Sequence, residues 1–328
     1  MRAAVLEEFG KPLALREVDR PVPTAGQVLV RVVASGLNPL DVKIQAGQAA
    51  HARVEPPAVL GLDVAGVVEA VGSGVEGFAP GDEVFGLVGG VGGRQGTLAE
   101  HLAVDAGLLA RVPSRVDLRQ AAVLPLITIT AWEGLVDRAR VRAGQKVLVH
   151  GGAGGVGQAA IQIARAHGAR VYATASPLRA GVVEALGATH IDPRSTTVEE
   201  YVAEHTGGEG FDIVYDTAGG AVLDASFQAA RVYTGHVVSS LGWGTHSIAP
   251  LSFRGATYSG VFTLLPLLTG RGGEHHGEIL GEVARLVDAG DLTPRVDPRW
   301  FSLDTVADAL RLVGEGTADG KVVVDVGR

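Results

Sequence analysis

The 328-residue chain contains no cysteine, which excludes disulfide bonds and every metal site built on thiolates. Basic residues are not in excess: the formal charge of −8 argues against an electrostatic nucleic-acid interface. Long apolar runs are also missing, because the longest candidate, Leu124 to Val136, is interrupted by Glu133 and is shorter than the ~20 residues of a membrane helix. The N-terminus is acidic where a signal peptide needs an apolar core. We therefore expect a soluble, cytoplasmic protein with no membrane or nucleic-acid partner.

Glycine is abundant instead, with 47 residues, about twice the usual ~7% share, which predicts many turns. The length indicates about two domains. Prolines and short β-branched runs fill the first ~110 residues, which favours strands and turns over helices. From Pro125 onward short strands alternate with helical stretches, beginning with the strands Lys146 to His150 and Arg170 to Thr174. This alternation predicts an α/β fold with a doubly wound parallel sheet of the Rossmann type.

A glycine-rich motif carries the clearest functional signal. The residues Gly152, Ala153, Gly154, Gly155, Val156 and Gly157 fit the pattern G-x-G-x-x-G. They follow the strand Lys146 to His150 and open a helix, which is the context that a dinucleotide-binding loop requires. Such a loop lets the backbone approach a pyrophosphate at a helix N-terminus. The alternative is a glycine turn that binds nothing.

The end of the next strand indicates which dinucleotide binds. NAD enzymes place an acidic residue about 20 positions after the loop, but here no Asp or Glu follows Gly152 until Glu184. Ser176 and Arg179 stand there instead, and a hydroxyl and a guanidinium suit the 2′-phosphate of NADPH. NADPH is the expected cofactor. In the alternative interpretation, Ser176 only caps a helix and Arg179 is solvated.

Several motifs together resemble one family. They are Gly36-Leu37-Asn38-Pro39-Leu40-Asp41, Gly61-Leu62-Asp63-Val64-Ala65-Gly66-Val67-Val68, Pro80-Gly81-Asp82-Glu83-Val84, Gly96-Thr97-Leu98-Ala99-Glu100, the glycine loop and the closing Gly320-Lys321-Val322-Val323. With them the chain resembles the zinc-free quinone oxidoreductase (zeta-crystallin-like) branch of the medium-chain dehydrogenase/reductase superfamily. The resemblance implies a GroES-like, β-rich substrate domain formed by residues 1–123 and 268–328. It also implies a Rossmann dinucleotide-binding domain at residues 124–267.

The same resemblance bears on zinc. Alcohol dehydrogenases of the superfamily bind catalytic zinc with a Cys and a His, and the matching positions here look like Asn38 and Leu62. An amide and an apolar side chain do not replace a thiolate and an imidazole, so we expect no metal. The pair His275-His276 follows two glycines and is expected in an exposed loop, and His150 is expected to pack rather than to bind metal.

Without a Lewis acid, the expected substrates are already activated towards hydride: quinones or α,β-unsaturated carbonyl compounds. By resemblance, the catalytic candidates are Asn38 and Thr130 beside the nicotinamide, and Lys43 as a proton donor or enolate stabiliser. The alternatives are an Asx turn for Asn38, helix packing for Thr130 and surface solvation for Lys43. Asp41 and Asp63 are expected to be structural acceptors, with Asp63 orienting Lys43.

Further cofactor contacts are expected at the carboxyl ends of later strands. These residues are Ala218, Gly219, Ser240, Leu241 and Phe262, and Lys321 is either a phosphate ligand or solvated. The segment Arg254 to Phe262 is expected to be an edge strand, which in the family pairs with its mate in a homodimer. Two other functions stay open: a zinc-free alcohol or secondary-metabolite reductase, and an NADPH-binding protein without catalysis.

Overall fold

The computed structural model describes residues 1–327, which divide into two compact units. Unit 1 contains residues 1–126 and the segment from residue 264 onward, and unit 2 contains residues 127–263. The domain boundaries predicted from the sequence lie within four residues of these. Arg328, the last residue of the predicted second segment, lies outside the described residues.

The strands, in chain order, have the following bounds. They are β1 Arg2–Leu6, β2 Ala14–Glu17, β3 Gln27–Gly36, β4 Ala58–Val59, β5 Asp63–Val71, β6 Glu83–Leu87, β7 His101–Asp105, β8 Leu109–Arg111, β9 Lys146–His150, β10 Arg170–Thr174, β11 Thr189–Ile191, β12 Ile213–Asp216, β13 His236–Ser239, β14 Thr257–Gly260, β15 Phe301–Ser302 and β16 Val323–Asp325.

The α-helices are also numbered in chain order. They are α1 Pro39–Gln45, α2 Leu118–Ala121, α3 Pro125–Trp132, α4 Gly155–Ala166, α5 Ala180–Ala185, α6 Val198–Thr206, α7 Ala221–Ala229, α8 Ala249–Arg254, α9 Leu265–Thr269, α10 Gly273–Ala289 and α11 Val306–Glu315. Within the described residues, no helix combines the length and the apolar character that crossing a membrane requires.

Unit 1 is built on a mixed sheet whose central strand is β3. The strand order is β15-β16-β3-β5-β6-β8, with β7 also paired to β3, and a separate small sheet has the order β2-β1-β4. Strands β3 and β16 are antiparallel, with Val323 opposite Gly36 and Asp325 opposite Ala34. The end of the described chain is thereby joined to a strand that begins at residue 27. The expectation of a GroES-like, β-rich domain is confirmed.

Helix α1 departs from the expectation that prolines disfavour helices in this half of the chain. It starts at Pro39, directly after β3. Proline is tolerated at the first helical position, where its missing N–H would have no intrahelical partner and its fixed φ already suits a helix. The helix places Asn38 at its N-cap and Lys43 in its last turn.

Unit 2 is a six-stranded parallel sheet with the order β11-β10-β9-β12-β13-β14. The order reverses direction at β9, as in a doubly wound sheet, so the predicted Rossmann fold is confirmed. The strands predicted at Lys146 to His150 and at Arg170 to Thr174 have those bounds in the structure. Ligands of such sheets bind at the carboxyl edge next to the reversal.

The expectation for the histidine pair is wrong in part. Both residues lie inside α10, because the helix already starts at Gly273. His275 is exposed on it, but His276 is fully buried. The two neighbouring glycines suggested a loop, but the amphipathic pattern after them continues the helix to Ala289.

Candidate cofactor and active-site residues

The glycine loop of unit 2 has the packing that its motif predicts. Gly157 allows α4 to start close to the preceding turn: a Cβ on it would lie 2.2 Å from the carbonyl oxygen of Gly151. A Cβ on Gly152 would lie 2.6 Å from that of Ala173. Gly154, the N-cap of α4, is different, because its nearest contact would be 3.3 Å away. Gly152 and Gly157 are therefore required by the fold, whereas a Cβ on Gly154 would need only a small shift of one backbone oxygen.

A buried carboxylate organises the two neighbouring loops, and the sequence reasoning missed it. Asp216 is fully buried at the end of β12, and its carboxylate accepts hydrogen bonds from the backbone N–H of Ala218 at 3.0 Å and of Gly219 at 2.9 Å. It also accepts one from the hydroxyl of Ser239 at 2.7 Å. The Ser239 hydroxyl in turn accepts from the N–H of Leu241 at 3.1 Å. The loops after β12 and β13, which were predicted to contact the cofactor, are thus fixed to each other.

A cavity of about 960 Å³ opens at the carboxyl edge of the unit 2 sheet. Its walls come from the ends of β9 and β10, from the segment 193–201 that leads into α6, and from the start of α7. Of the predicted cofactor residues, Ser176 and Ala218 line it. The others do not: Gly152 to Gly157, Arg179, Gly219, Ser240, Leu241 and Phe262. Segment 193–201 contains a capping box, which indicates a helix start but no ligand, so only its position after β11 could have indicated a role in the cavity.

Two buried polar atoms on the cavity wall, one on His150 and one on Tyr201, lack protein partners. His150 is 3% exposed, and its Nδ1 lies 3.2 Å from the hydroxyl of Thr174, but its Nε2 has no hydrogen-bond partner. The hydroxyl of Tyr201, which is also 3% exposed, has none either. Burial lowers the pKa of His150 to about 4, so the imidazole is neutral at physiological pH. Unsatisfied buried polar atoms are costly, and a ligand or water in the cavity would satisfy them.

In unit 1 the side chain of Asn38 belongs to a buried polar cluster. Its Nδ2 donates to Asp63 Oδ2 at 2.9 Å and to the carbonyl oxygen of Gly36 at 3.4 Å, and its Oδ1 accepts from Lys321 Nζ. Lys321 also donates to the carbonyl oxygen of Leu37 at 2.7 Å. Both N–H groups of the amide are therefore occupied within the unit. This arrangement favours a structural role for Asn38 at the start of α1 over the predicted binding of an acceptor oxygen.

Lys321 was expected either to be solvated or to reach cofactor phosphates, and the structure places it elsewhere. Its side chain is only 11% exposed, and its Nζ lies 4.0 Å from Asp63 Oδ2. The pairing of β16 with β3 brings it beside Leu37 and Asn38. The ammonium group thus lies in the interior of unit 1 and makes its contacts there.

Two carboxylates share this cluster, and both accept hydrogen bonds as predicted. Asp41 Oδ2 accepts from the N–H of Asn38 at 2.8 Å, and Asp63 Oδ1 accepts from that of Leu126 at 2.9 Å. Burial raises the pKa of Asp41 to about 7, and that of Asp63 to about 6, where the Lys321 charge limits the rise. Asp41 Oδ1 has no hydrogen-bond partner, and the backbone hydrogen bonds and the Lys321 charge that stabilise the charged form of Asp41 do not offset its burial.

We expect this cluster to make stability depend on pH. Asp41 binds its proton more tightly in the folded than in the unfolded protein, so its contribution is fully present below pH 4 and is lost as the pH rises through about 7. Thermal midpoints of wild type and Asp41→Asn, measured from pH 4.5 to 8, test this. The thermal midpoint of Asp41→Asn should rise relative to that of the wild type as the pH rises. A difference in thermal midpoint that does not change with pH would contradict the assignment.

The predicted pairing of Asp63 with Lys43 is wrong. The partners of Asp63 are Asn38, Leu126 and Lys321. Lys43 is exposed on α1. Sequence spacing favoured Lys43 because it is near in the chain, whereas the actual cation comes from a segment that only the sheet pairing brings close.

Thr130 lies in α3 and is 6% exposed. Its Oγ1 is 2.9 Å from that of Thr263, and its carbonyl oxygen accepts from the Tyr215 hydroxyl at 2.7 Å. Thr263 also donates to Glu133 Oε2 at 3.3 Å. The predicted Thr130 is therefore part of a polar group inside unit 2.

The cluster in unit 1 does not fit a catalytic zinc ion. At the two positions that match metal ligands, Leu62 is apolar and fully buried, and Asn38 presents its oxygen to an ammonium group. Within residues 1–327, no group of three or more His, Asp or Glu side chains could hold a metal.

Comparison with known proteins gives the family. The family model described as alcohol dehydrogenase GroES-like domain matches residues 24–114, and the family model described as zinc-binding dehydrogenase matches residues 186–324. An alcohol dehydrogenase superfamily protein from Novosphingobium aromaticivorans has a crystal structure with a TM-score of 0.97 at 57% identity, covering 99% of each chain. The chain belongs to the medium-chain dehydrogenase/reductase superfamily.

Two curated relatives match along most of their length. The chloroplastic NADPH-dependent alkenal/one oxidoreductase of Arabidopsis thaliana is 36% identical, over 99% of this chain and 79% of the relative. The 2-methylene-furan-3-one reductase of Solanum lycopersicum is 36% identical, over 91% of this chain and 71% of the relative. Other relatives are much longer: the chain spans 13% of the spectinabilin polyketide synthase system protein NorB of Streptomyces orinoci and 8% of the erythronolide synthase EryA2 of Saccharopolyspora erythraea.

Proposed function

We propose that the protein is an NADPH-dependent reductase of α,β-unsaturated carbonyl compounds, with quinones as a second substrate class. The observation that carries this proposal is the glycine loop that leads to Gly154 at the N-terminus of α4, at the same sheet edge as the cavity. A pyrophosphate fits a helix N-terminus whose backbone can be approached closely. The names of the Arabidopsis and Solanum relatives state substrates with a carbon–carbon double bond conjugated to a carbonyl, which supports the substrate class.

NADPH is proposed over NADH because no carboxylate follows β10 before Glu184. A carboxylate at the end of that strand would accept the ribose 2′-hydroxyl of NADH and repel a 2′-phosphate. Ser176 stands near this end and lines the cavity. The cofactor named for the Arabidopsis relative agrees with this choice.

The chain's own residues have three tasks in this reaction. Bound NADPH would supply the hydride, and the substrate then needs a proton to become the saturated carbonyl compound. We assign the proton donation to Lys43, which is exposed at the end of α1. Asn38 and Lys321 fix the start of that helix, and Thr130 contributes its hydroxyl from α3 to the nicotinamide site.

A panel assay tests the activity. We expect loss of NADPH absorbance with a short alkenal, a cyclic enone and a small quinone, and none with a saturated ketone or primary alcohol. Reduction of the saturated ketone would favour the alcohol-type reductase instead. Tight NADPH binding without turnover of any substrate would favour a binding protein without catalysis.

Lys43→Ala is expected to lower kcat on enones roughly 100-fold, the low end of acid–base assistance. The matched control is Lys11→Ala, because Lys11 is also exposed in unit 1 but lies outside α1. Steady-state rates and the pH profile of both variants are compared with the wild type. Full activity of Lys43→Ala would remove this residue from the mechanism.

We also propose that two copies pair along β14. This strand forms one edge of the unit 2 sheet, and Thr257, Tyr258 and Gly260 on it are exposed. Exposed sheet edges are usually covered by a partner or otherwise protected. Light scattering in solution should give twice the mass of 33.7 kDa, and a monomer would contradict the pairing.

A further inference from the structure

The cavity of unit 2 has one cationic side chain among its described lining residues. It is Arg194, in the segment between β11 and α6. The imidazole of His150 is neutral there, because burial lowers its pKa to about 4. A phosphate entering this cavity would therefore meet its positive charge at Arg194.

The loop that carries Arg194 lies next to the loop that carries Ser176. Strands β10 and β11 are parallel neighbours, with Thr174 opposite Ile191. The two loops leave the same edge of the sheet, and His190 Nε2 lies 2.8 Å from the carbonyl oxygen of Ala175. Both Ser176 and Arg194 line the cavity, whereas Arg179 does not.

The backbone around Arg194 is fixed, but its guanidinium is not engaged. The N–H of Arg194 donates to Asp192 Oδ1 at 3.1 Å, and the hydroxyl of Thr196 donates to the Asp192 carbonyl oxygen at 3.0 Å. No hydrogen bond or ion pair of the guanidinium occurs with the described residues, and the side chain is exposed. In a chain with a net charge of −8, a guanidinium without a carboxylate partner is available to an anionic ligand.

Glu199 and Glu200 also line the cavity, and neither carboxylate forms an ion pair with Arg194. The Glu200 carboxylate accepts from the N–H of Thr197 at 2.8 Å, as part of a capping box at the start of α6. Glu199 is exposed in the first turn of the same helix. The positive end of the α6 dipole also faces this segment of the wall.

An independent observation indicates that the cavity is built for a ligand. His150 Nε2 and the Tyr201 hydroxyl are buried polar atoms without a protein partner, and both residues line the cavity. We propose that Arg194 binds the 2′-phosphate of the bound dinucleotide, opposite Ser176, and thereby selects NADPH over NADH. This inference rests on the proposed function and names the residue that determines its cofactor specificity.

The test uses two fragments of the cofactor, so that it does not depend on turnover. Adenosine 2′,5′-bisphosphate carries the 2′-phosphate and adenosine 5′-monophosphate lacks it, and both are titrated calorimetrically into the full-length protein. The wild type should bind the bisphosphate at least about 10-fold more tightly. Arg194→Gln should weaken bisphosphate binding about 10- to 100-fold, as expected for charge-assisted hydrogen bonds, and leave the monophosphate within about twofold.

The matched control is Arg179→Gln, which should bind both fragments with wild-type affinity. Arg194→Lys should bind the bisphosphate with an affinity between those of the wild type and Arg194→Gln, because lysine keeps the charge but cannot donate two parallel hydrogen bonds. Unchanged thermal midpoints of all variants would show that the fold is intact. Wild-type bisphosphate affinity in Arg194→Gln, or its loss in Arg179→Gln, would overturn the assignment. If the wild type bound both fragments with equal affinity, the assignment of Arg194 would be overturned, but dinucleotide binding would stand. If it bound neither fragment, both the assignment and the proposed function would be rejected.

Discussion

Replacing Lys321 by Met should lower the thermal midpoint of the protein by roughly 6 to 20 °C. The change removes the ammonium that Asn38 Oδ1, the Leu37 carbonyl oxygen and Asp63 share inside unit 1. Removing one partner of a buried ion pair typically costs about 3–5 kcal/mol, since the remaining charge is left uncompensated. Differential scanning calorimetry at pH 8 measures the shift. Lys11→Met, at an exposed position of the same unit, should stay within about 1 °C.

The pH dependence of this loss separates a charge effect from lost packing. Lys321 holds down the pKa of Asp63, so its removal should let Asp63 keep a proton to higher pH. Lys321→Met should therefore lower the thermal midpoint less at pH 5 than at pH 8. At pH 8 the double variant Asp63→Asn/Lys321→Met should be more stable than Lys321→Met alone. An equal loss at both pH values would indicate that the lysine stem, rather than its charge, stabilises the unit.

Gly154→Ala should reduce NADPH affinity about 100-fold while leaving the thermal midpoint within about 2 °C. Its backbone, at φ −76° and ψ 167°, suits any L-residue, and the added Cβ would approach only the Gly151 carbonyl oxygen, at 3.3 Å. The methyl group would require the Gly151 carbonyl oxygen to move by only a few tenths of an ångström, but the proposed pyrophosphate would lose its close approach to the backbone. Fluorescence titration with NADPH gives the affinity. An unchanged affinity would remove the glycine loop from the proposed site.

Two other glycines provide the comparison for this variant. Gly157→Ala should lower both the thermal midpoint and the affinity, because its Cβ would lie 2.2 Å from a backbone oxygen and α4 must move. Gly181→Ala should lower neither, since nothing lies within 4 Å of its Cβ in α5. The three variants thus distinguish ligand contact, helix packing and a neutral change of the same size.

Local patterns predicted unit 2 well. The bounds of β9 and β10 follow from short β-branched runs that end in glycine or polar turns, and the glycine loop lies where its motif requires. Helix α1 was missed because a proline can begin a helix as well as break one, and the sequence alone does not show which occurs. Local signals are reliable where strand, loop and helix follow one another directly.

The unit 1 cluster and the cavity wall depend on contacts that no local pattern contains. Lys321 and Asn38 are 283 residues apart in the chain, and only the β16–β3 register brings them together. The sequence near the end of β10 favours Arg179, whereas the cavity residue Arg194 comes from the loop after the neighbouring strand β11. Predicting either would have required the strand order in advance.

The pairing of β16 with β3 also sets the order in which the polypeptide can complete its units. Unit 2 is one continuous segment, so all its contacts become available once residue 263 has been synthesised. In the sheet that begins at residue 27, β7 pairs with residues 27–31 of β3, but residues 34–36 gain their β16 partners only after residues 323–325 have left the ribosome. During synthesis the C-terminal end of β3 is consequently completed last, after all of unit 2 is already available for folding.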